Sequence, residues 1–151
     1  MTDPMTLLVE KDRIHDVVNR LFICTDRRDW PSVTQCFADR VLFDMTSMAG
    51  GEPATMTPRE IAAGWEQGLR GLAAIHHQAG NYLVKVTGDE ASVFCYGIAL
   101  HHLPGSPGGS TRRFVGSYDL HLMKGEDSWR IDRFRFTLKF IDGNPDLGRE
   151  T

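Results

Sequence analysis

Cysteine is scarce in this chain, and its three copies, Cys24, Cys36 and Cys95, lie far apart in apolar surroundings. Such an odd, scattered set is typical of buried thiols in a reducing compartment and argues against a disulfide framework. Long apolar runs are also missing, since no segment approaches the roughly 18 residues that a membrane-spanning helix needs. The first ten residues carry Asp3 and Glu10 and lack the apolar core of a secretory signal. We therefore expect a cytoplasmic protein without a membrane partner.

Excess positive charge is absent as well. The chain has 17 Lys and Arg against 20 Asp and Glu, a net charge of −3, and no basic stripe of the kind that binds nucleic acid. Neither CxxC nor HExxH occurs, and no glycine-rich loop has the strand–turn–helix context of a nucleotide site. We therefore expect no nucleic acid partner, no metal and no cofactor. The 151 residues lack repeats and low-complexity linkers, which predicts one domain, 1–151.

The N-terminal segment, from about residue 6 to 28, has the apolar spacing of an amphipathic helix. The residues on its apolar face are Ile14, Val17, Val18, Leu21 and Phe22. Continuing this row by fours from Phe22 reaches Asp26, so an acid points in the direction of the core residues. A buried carboxylate is costly unless it is paired or hydrogen-bonded. Asp26 therefore needs a partner, and a histidine would give the pair a catalytic use.

Further along, two shorter helices precede a long run of strands. Asp29 is suited to cap a helix that ends near Phe37, and Thr57-Pro58-Arg59-Glu60 is a capping box that opens a third helix. A short strand at about 41–45 and a loop at about 47–54 are expected between them. Strand-like alternation follows at about 74–87, 91–103, 111–124 and 128–141. Residues from about 142 form a tail, which is ordered only if it docks on the body.

Four of the six histidines form two doublets, His76-His77 and His101-His102, each at the end of a predicted strand. Neighbouring residues on a strand point to opposite faces. Each doublet therefore offers one inward and one outward side chain, which argues against a four-histidine metal site. Helices followed by an antiparallel meander predict an α+β domain. A curved sheet around the first helix leaves a pocket suited to a small apolar ligand.

Four sequence elements together resemble the SnoaL-like branch of the NTF2-like superfamily, and within it the scytalone dehydratases. They are the segment 25–30 with its Asp-x-x-Asp-Trp pattern, the His-x-x-Gly-Asn pattern at 77–81, His102 at a strand end, and the segment 116–121. The resemblance spans about residues 8–140. It implies an NTF2-like cone, in which a curved antiparallel sheet wraps around N-terminal helices and encloses an apolar pocket.

The resemblance implies catalytic roles for Asp26, His77 and His102. Asp26 matches the family's helix carboxylate, which orients a histidine, and His77 matches that histidine because Gly80 fixes the register. His102 matches the second active-site histidine if the hairpin carries no insertion or deletion. His101 is the alternative, since a one-residue slip would turn the other side chain inward.

The resemblance also implies contacts with substrate. Ser117 and Asp119 match a substrate-binding Ser and Asn, although Asp119 places an acid where the family has an amide. The dehydratases carry tyrosines at the positions of Thr25 and Met45, where they polarise the substrate carbonyl through water. Tyr96 or Tyr118 could replace these phenols if its strand faces it inward. Scytalone itself is therefore a poor expectation for the substrate.

Together these features predict a cofactor-independent lyase that resembles a dehydratase. His77, oriented by Asp26, would abstract a proton from a small cyclic or polyketide-derived substrate. An isomerase or polyketide cyclase with the same pair is the alternative enzyme class, and a binding protein for a hydrophobic ligand is the alternative without turnover. A homodimer or homotrimer is expected from the resemblance.

Overall fold

The computed structural model describes residues 2–149, which form four helices and six strands. The first half contains α1 (Pro4–Asp26), α2 (Trp30–Gln35), β1 (Phe37–Asp44), α3 (Thr46–Ala49), β2 (Ala54–Met56) and α4 (Pro58–Leu69). The second half contains β3 (Ala74–Thr87), β4 (Glu90–His102), β5 (Thr111–Lys124) and β6 (Trp129–Gly143). Among the described residues, no helix is long and apolar enough to cross a membrane.

The six strands form one curved, unclosed sheet in the order β2-β1-β6-β5-β4-β3. Strands β3 to β6 follow one another as an antiparallel meander, and the predicted α+β cone is confirmed. The expectation of a purely antiparallel sheet is wrong at one pair, because β1 runs parallel to β6. Most of the chain lies between these two strands, so no tight turn forces them to run in opposite directions.

The helix starts are set by side-chain caps that the sequence predicts. Asp29 accepts a hydrogen bond from the Ser32 amide at 3.3 Å, and Thr57 accepts one from the Glu60 amide at 3.2 Å. The segment expected to be a loop after β1 contains the single turn of α3. Asp44 begins this turn by accepting from the Thr46 amide at 3.0 Å and from its hydroxyl at 2.6 Å.

The core lies between α1, α4 and the concave face of the sheet. The predicted helix stripe is buried, with Ile14, Val18 and Leu21 fully enclosed and Phe22 only 5% exposed. Cys24, Cys36 and Cys95 are buried free thiols. Burial raises the pKa of Cys36 to about 11 and that of Cys95 to about 12. These thiols therefore stay protonated near neutral pH and act as small packing residues.

Two glycines on the concave face make room for aromatic rings. A Cβ atom at Gly97 on β4 would overlap the ring of Tyr118 on β5. A Cβ atom at Gly116 would overlap the Thr137 carbonyl and come within 2.6 Å of the Phe136 ring. Both rings are almost fully buried, so neither has room to retreat.

We expect Gly97→Ala to lower the free energy of unfolding by about 1–3 kcal/mol, because the added methyl overpacks the Tyr118 ring. Urea unfolding followed by circular dichroism measures this change. Gly71→Ala is the matched control, since a Cβ atom there meets nothing within 4 Å. Equal stability of the two variants would contradict the close approach of Tyr118 to β4.

The C-terminal tail docks on the body of the protein. Asn144 donates from Nδ2 to the carbonyls of Pro107 at 2.9 Å and Gly109 at 3.0 Å. Leu147 is 3% exposed and packs with Leu72 and Ile75 in a small satellite core. The tail is expected to be ordered only if it docks on the body, and it does dock through residue 149. Strand β6 ends at Gly143, slightly beyond the predicted end at about residue 141.

Candidate active site

A cavity of about 270 Å³ lies between α1, α4 and the concave face of the sheet. Its polar side chains come from five residues: Thr25, His77, His101, Arg112 and Tyr118. The remaining lining is apolar or glycine, from Phe22, Met45, Met48, Gly64, Trp65, Gly68, Leu69, Ala99, Phe114, Phe134 and Phe136. A few polar groups converge in an apolar, aromatic cavity, which is the usual character of a small-molecule site.

Asp26 and His77 meet at one wall of this cavity. Asp26 is the last residue of α1, and its Oδ1 lies 2.6 Å from Nδ1 of His77 on β3. Its Oδ2 accepts the backbone N–H of His77 at 2.8 Å. Both carboxylate oxygens therefore hold the same residue. The predicted pairing is present in the structure, whereas the catalytic roles of the two residues stay a prediction.

The imidazole of His77 is held on its face as well as at its edge. The ring stacks on Phe22 with centroids 5.6 Å apart and an angle of 17° between the planes. The side chain of His77 is 15% exposed and that of Asp26 18%. A carboxylate can only accept hydrogen bonds, so Nδ1 carries the proton. The other ring nitrogen, Nε2, then has a lone pair that can accept a proton from a molecule in the cavity.

The structure corrects the choice within the second histidine doublet. His101 is 8% exposed and lines the cavity, whereas His102 is exposed on the outer face of the sheet. The prediction of His102 as the second active-site histidine is therefore wrong, and the alternative, His101, lies inside.

A β-bulge explains this correction. Near the hairpin turn Leu83 pairs with Phe94, and this register, if continued, would pair His77 with Leu100 and put His102 on its face. The register instead shifts by one between Gly80 and Leu83. Asn81 has a positive φ of 57° there, and the extra residue pairs His77 with Ala99. His101 therefore shares the inner face with His77.

Three predicted substrate contacts lie on the wrong face of the sheet. On β5 the even-numbered residues Phe114 and Tyr118 line the cavity, so Ser117 and Asp119 point away from it. Asp119 forms an ion pair with Arg135 at 3.2 Å on the outer face. Tyr96 is 45% exposed and lies beneath Lys139, whose Nζ is 3.8 Å from the ring centroid. The predictions that Ser117, Asp119 and Tyr96 bind substrate in the cavity are therefore wrong.

Met45 and Tyr118 do lie at the cavity. Tyr118 is 6% exposed, and burial raises the pKa of its phenol, which therefore stays protonated near neutral pH. Of the two tyrosines that could replace the absent phenols, only Tyr118 has the required orientation. The cavity lining has two hydroxyl groups, those of Tyr118 and Thr25. The Thr25 hydroxyl already donates to the Leu21 carbonyl at 2.7 Å, so the Tyr118 hydroxyl is the one suited to donate to a ligand.

Arg112 is a cavity residue that the sequence reasoning missed. It lies on β5, and its Nη2 is 2.9 Å from Nδ1 of His101. The alternation that places Phe114 and Tyr118 inward also places Arg112 inward, so strand parity was the signal that could have found it. Among residues 2–149, no group of three or more His, Cys, Asp or Glu side chains is arranged to hold a metal ion.

The environment of His101 disfavours its charged form. Burial, and then the nearby Arg112 and His77, lower the pKa of His101 from 6.5 to about 4, while Asp26 opposes this shift. The unfolded chain therefore binds a proton at this residue between about pH 6.5 and 4 that the folded chain does not. It follows that stability from neutral His101 is complete above pH 6.5 and is lost as the pH falls to about 4.

We expect unfolding measurements to detect this titration. Between pH 7 and pH 4 the wild-type protein should lose about 2–3 kcal/mol more stability than His101→Gln, which cannot titrate. Urea unfolding at several pH values gives the slopes. His102→Gln, at the exposed neighbour, should keep the wild-type slope, and a His101→Gln slope equal to that of wild type would contradict the low pKa.

The amino-acid sequence was compared with models of known protein families. A model of the SnoaL-like domain matches residues 7–135 of this chain. The chain belongs to the SnoaL-like family. The predicted resemblance is thereby confirmed, and the matched segment of this SnoaL-like protein runs from α1 into β6. No curated protein sequence matches this chain.

Solved structures share the fold of this SnoaL-like protein. Kfla4162 from Kribbella flavida has a TM-score of 0.88 at 22% identity, covering 95% of this chain and 99% of the other. A candidate scytalone dehydratase from Novosphingobium aromaticivorans has a TM-score of 0.81 at 18% identity, covering 99% and 100%. A type 2 hexachlorocyclohexane dehydrochlorinase (LinA) has a TM-score of 0.79 at 12% identity, covering 99% and 98%. At these identities the similarity shows the NTF2-like fold, which many functions share.

Proposed function

We propose that this protein is a cofactor-independent lyase, similar to a dehydratase, in which His77 is the general base and Asp26 orients it. The observation that carries the proposal is the 2.6 Å bond between Asp26 Oδ1 and His77 Nδ1 at the wall of an apolar cavity. Names of structural neighbours support the same class, since one is a candidate scytalone dehydratase and another a dehydrochlorinase.

The proposed step is an elimination beside a carbonyl group. Nε2 of His77 takes a proton from the carbon next to the carbonyl, and the electrons of that C–H bond form the new C=C bond. The hydroxyl on the neighbouring carbon leaves with its bonding electrons and becomes water by taking the proton back from His77. Asp26 stabilises the imidazolium that exists between these transfers.

The cavity supports a small, flat and largely apolar substrate. Its aromatic walls come from Phe22, Trp65, Phe114, Phe134 and Phe136, which favours the small cyclic or polyketide-derived class. The Tyr118 phenol is the group suited to donate a hydrogen bond to the substrate carbonyl. In this role it would replace the two tyrosines of the dehydratases that this chain lacks.

An isomerase or cyclase with the same pair is the second candidate, and one observation favours it. In the elimination His77 must itself carry the proton from the carbon to the leaving hydroxyl, because the pKa of about 4 at His101 keeps that second histidine neutral near pH 7. A neutral imidazole is a much weaker acid than an imidazolium. A proton transfer without a leaving group requires no acid at a leaving oxygen, and His77 alone can remove the proton and return it to a neighbouring carbon.

A panel of cyclic β-hydroxy ketones in D2O separates the candidates. A lyase produces the absorbance of a conjugated enone, and His77→Ala abolishes it. Exchange of the α proton for deuterium without enone formation would favour the isomerase or cyclase. Saturable binding with neither signal would establish a ligand-binding protein and overturn the proposal of an enzyme.

The proposal includes two further expectations from the sequence, a homodimer or homotrimer and a cytoplasmic location. Light scattering after size-exclusion chromatography gives the mass of the particle directly. Two or three copies of the 17.0 kDa chain are expected, and a monomer at micromolar concentration would contradict the assembly. Native mass spectrometry of the same sample would also reveal a co-purified small hydrophobic ligand.

A further inference from the structure

Arg112 places a positive charge at the cavity, and no carboxylate within residues 2–149 is paired with it. None of the ion pairs among residues 2–149 includes it. Its Nη1 donates to the carbonyls of Pro145 and Leu147, both at 3.3 Å. Its Nη2 is 2.9 Å from His101 Nδ1. The guanidinium therefore joins the docked tail to a cavity histidine.

The contact with Arg112 determines which nitrogen of His101 carries a proton. A guanidinium has only N–H donors and stays protonated in proteins, so Nδ1 of His101 must be the acceptor. The proton of the neutral ring is then on Nε2. This arrangement is the reverse of that at His77, where the carboxylate of Asp26 requires the proton on Nδ1.

The groups packed around His101 agree with this assignment. Arg112 approaches from β5, and the Phe114 ring of the same strand lies 5.2 Å from the imidazole centroid. His77 approaches from β3, and Asp26 from α1 contributes a more distant negative charge that is already bound to His77. A second positive charge on His101 would face the guanidinium in an apolar setting, which opposes protonation.

We propose that Arg112 is a positioning residue that holds His101 as a neutral Nε2–H donor, so that the two cavity histidines have opposite tautomers and opposite roles. His77 accepts a proton, and His101 donates a hydrogen bond to a carbonyl or hydroxyl oxygen. This inference rests on the proposed function, and it specifies the substrate class. The substrate must place an acidic C–H bond at His77 and an oxygen acceptor at His101 at the same time.

The test is nuclear magnetic resonance of protein labelled with ¹⁵N in histidine and arginine. In the wild type we expect His101 to be neutral from pH 8 to pH 5, with Nε2 protonated. A through-hydrogen-bond coupling should join the Arg112 Nη2 proton to His101 Nδ1. A His101 ring protonated on Nδ1, or charged at pH 6, would overturn the proposal without any variant.

Variants then assign the effect to Arg112. Arg112→Met should lose the coupling and raise the pKa of His101 from about 4 towards the ordinary 6.5. Arg113→Met is the matched control, since Arg113 is half exposed and paired with Asp142 at 3.1 Å on the outer face. Arg112→Lys, which keeps a cation and a donor, should retain a low His101 pKa.

The outcomes separate this inference from the proposed function. If Arg112→Met titrates like Arg113→Met, the positioning role is wrong whatever the enzyme does. If the spectra agree but His77→Ala retains full turnover, the base assignment fails while the role of Arg112 stands. With a substrate from the enone assay, Arg112→Met should lower kcat at least tenfold, and Arg112→Lys should recover part of the loss.

Discussion

His77→Ala is expected to lower kcat/KM by about 10²- to 10⁴-fold, the contribution that a positioned general base usually makes. The variant removes the cavity imidazole that Asp26 orients through Nδ1, and with it the second ring nitrogen, Nε2, that would accept the proton. Binding should change much less, because the aromatic walls remain. The loss should therefore appear mainly in kcat, as measured with the enone assay under saturating substrate.

His76→Ala is the matched control for this experiment. His76 precedes His77 on β3 but is exposed on the outer face, where its side-chain contact is a 3.5 Å approach to Gln78. The His76→Ala variant should therefore turn over substrate at the wild-type rate. The Asp26 carboxylate still accepts the backbone N–H of residue 77 in His77→Ala, which favours an intact fold. Equal rates for His76→Ala, His77→Ala and wild type would contradict the assignment of the base.

Asp26→Asn is expected to cost nearly as much, about 10²- to 10⁴-fold in kcat, because it reverses the tautomer of His77. The amide of an asparagine has one acceptor and one donor group. The backbone N–H of His77 needs the acceptor, so the donor faces Nδ1 of the ring. Nδ1 must then accept, Nε2 must carry the proton, and the base has no lone pair for the substrate.

The size and the shape of the side chain hardly change in Asp26→Asn, so loss of folding is not the expected cause. Asp12→Asn on the exposed side of α1 is the control for removing one negative charge. Circular dichroism should show wild-type helix and strand content for both variants. An Asp26→Asn enzyme with more than a third of the wild-type kcat would show that Asp26 has no orienting role.

Much of the fold follows from patterns that act over short distances. The helix stripe that reaches Asp26, the caps at Asp29 and Thr57, and the alternation of the last four strands all depend on neighbours within a few residues. Such patterns specify which face is buried, and Asp26 could be identified because it continues the apolar row of α1. The other end of the same row is a second buried acid, Glu10, which accepts a hydrogen bond from Trp129 at 2.6 Å. The direction of β1 beside β6 depends instead on the path of the whole chain, and no local pattern contains it.

The wrong predictions at the site share one physical cause: neighbouring residues on a strand point to opposite faces of the sheet, so a shift of one residue selects the wrong side chain. A single added residue exchanges the inner and outer faces of everything beyond it. Gly80-Asn81 carries such a bulge in β3, with the left-handed backbone of Asn81. It puts His77 on the same face as His101 of β4, whose own alternation is unbroken, whereas an unbroken hairpin would put His77 on the face of His102. On β5 the inward set is Arg112, Phe114 and Tyr118, so the aligned Ser117 and Asp119 fall on the outer face.

Assignment of the His77 tautomer tests the central claim most directly, because it needs no substrate and no variant. Nitrogen-15 spectra of histidine-labelled protein distinguish a protonated ring nitrogen from a bare one. At pH 7.5 we expect His77 to carry its proton on Nδ1, as a strongly deshielded proton shared with Asp26, and to have a bare Nε2. A neutral ring with the proton on Nε2 would contradict it, since that ring could neither bind Asp26 as described nor accept a proton from a ligand in the cavity.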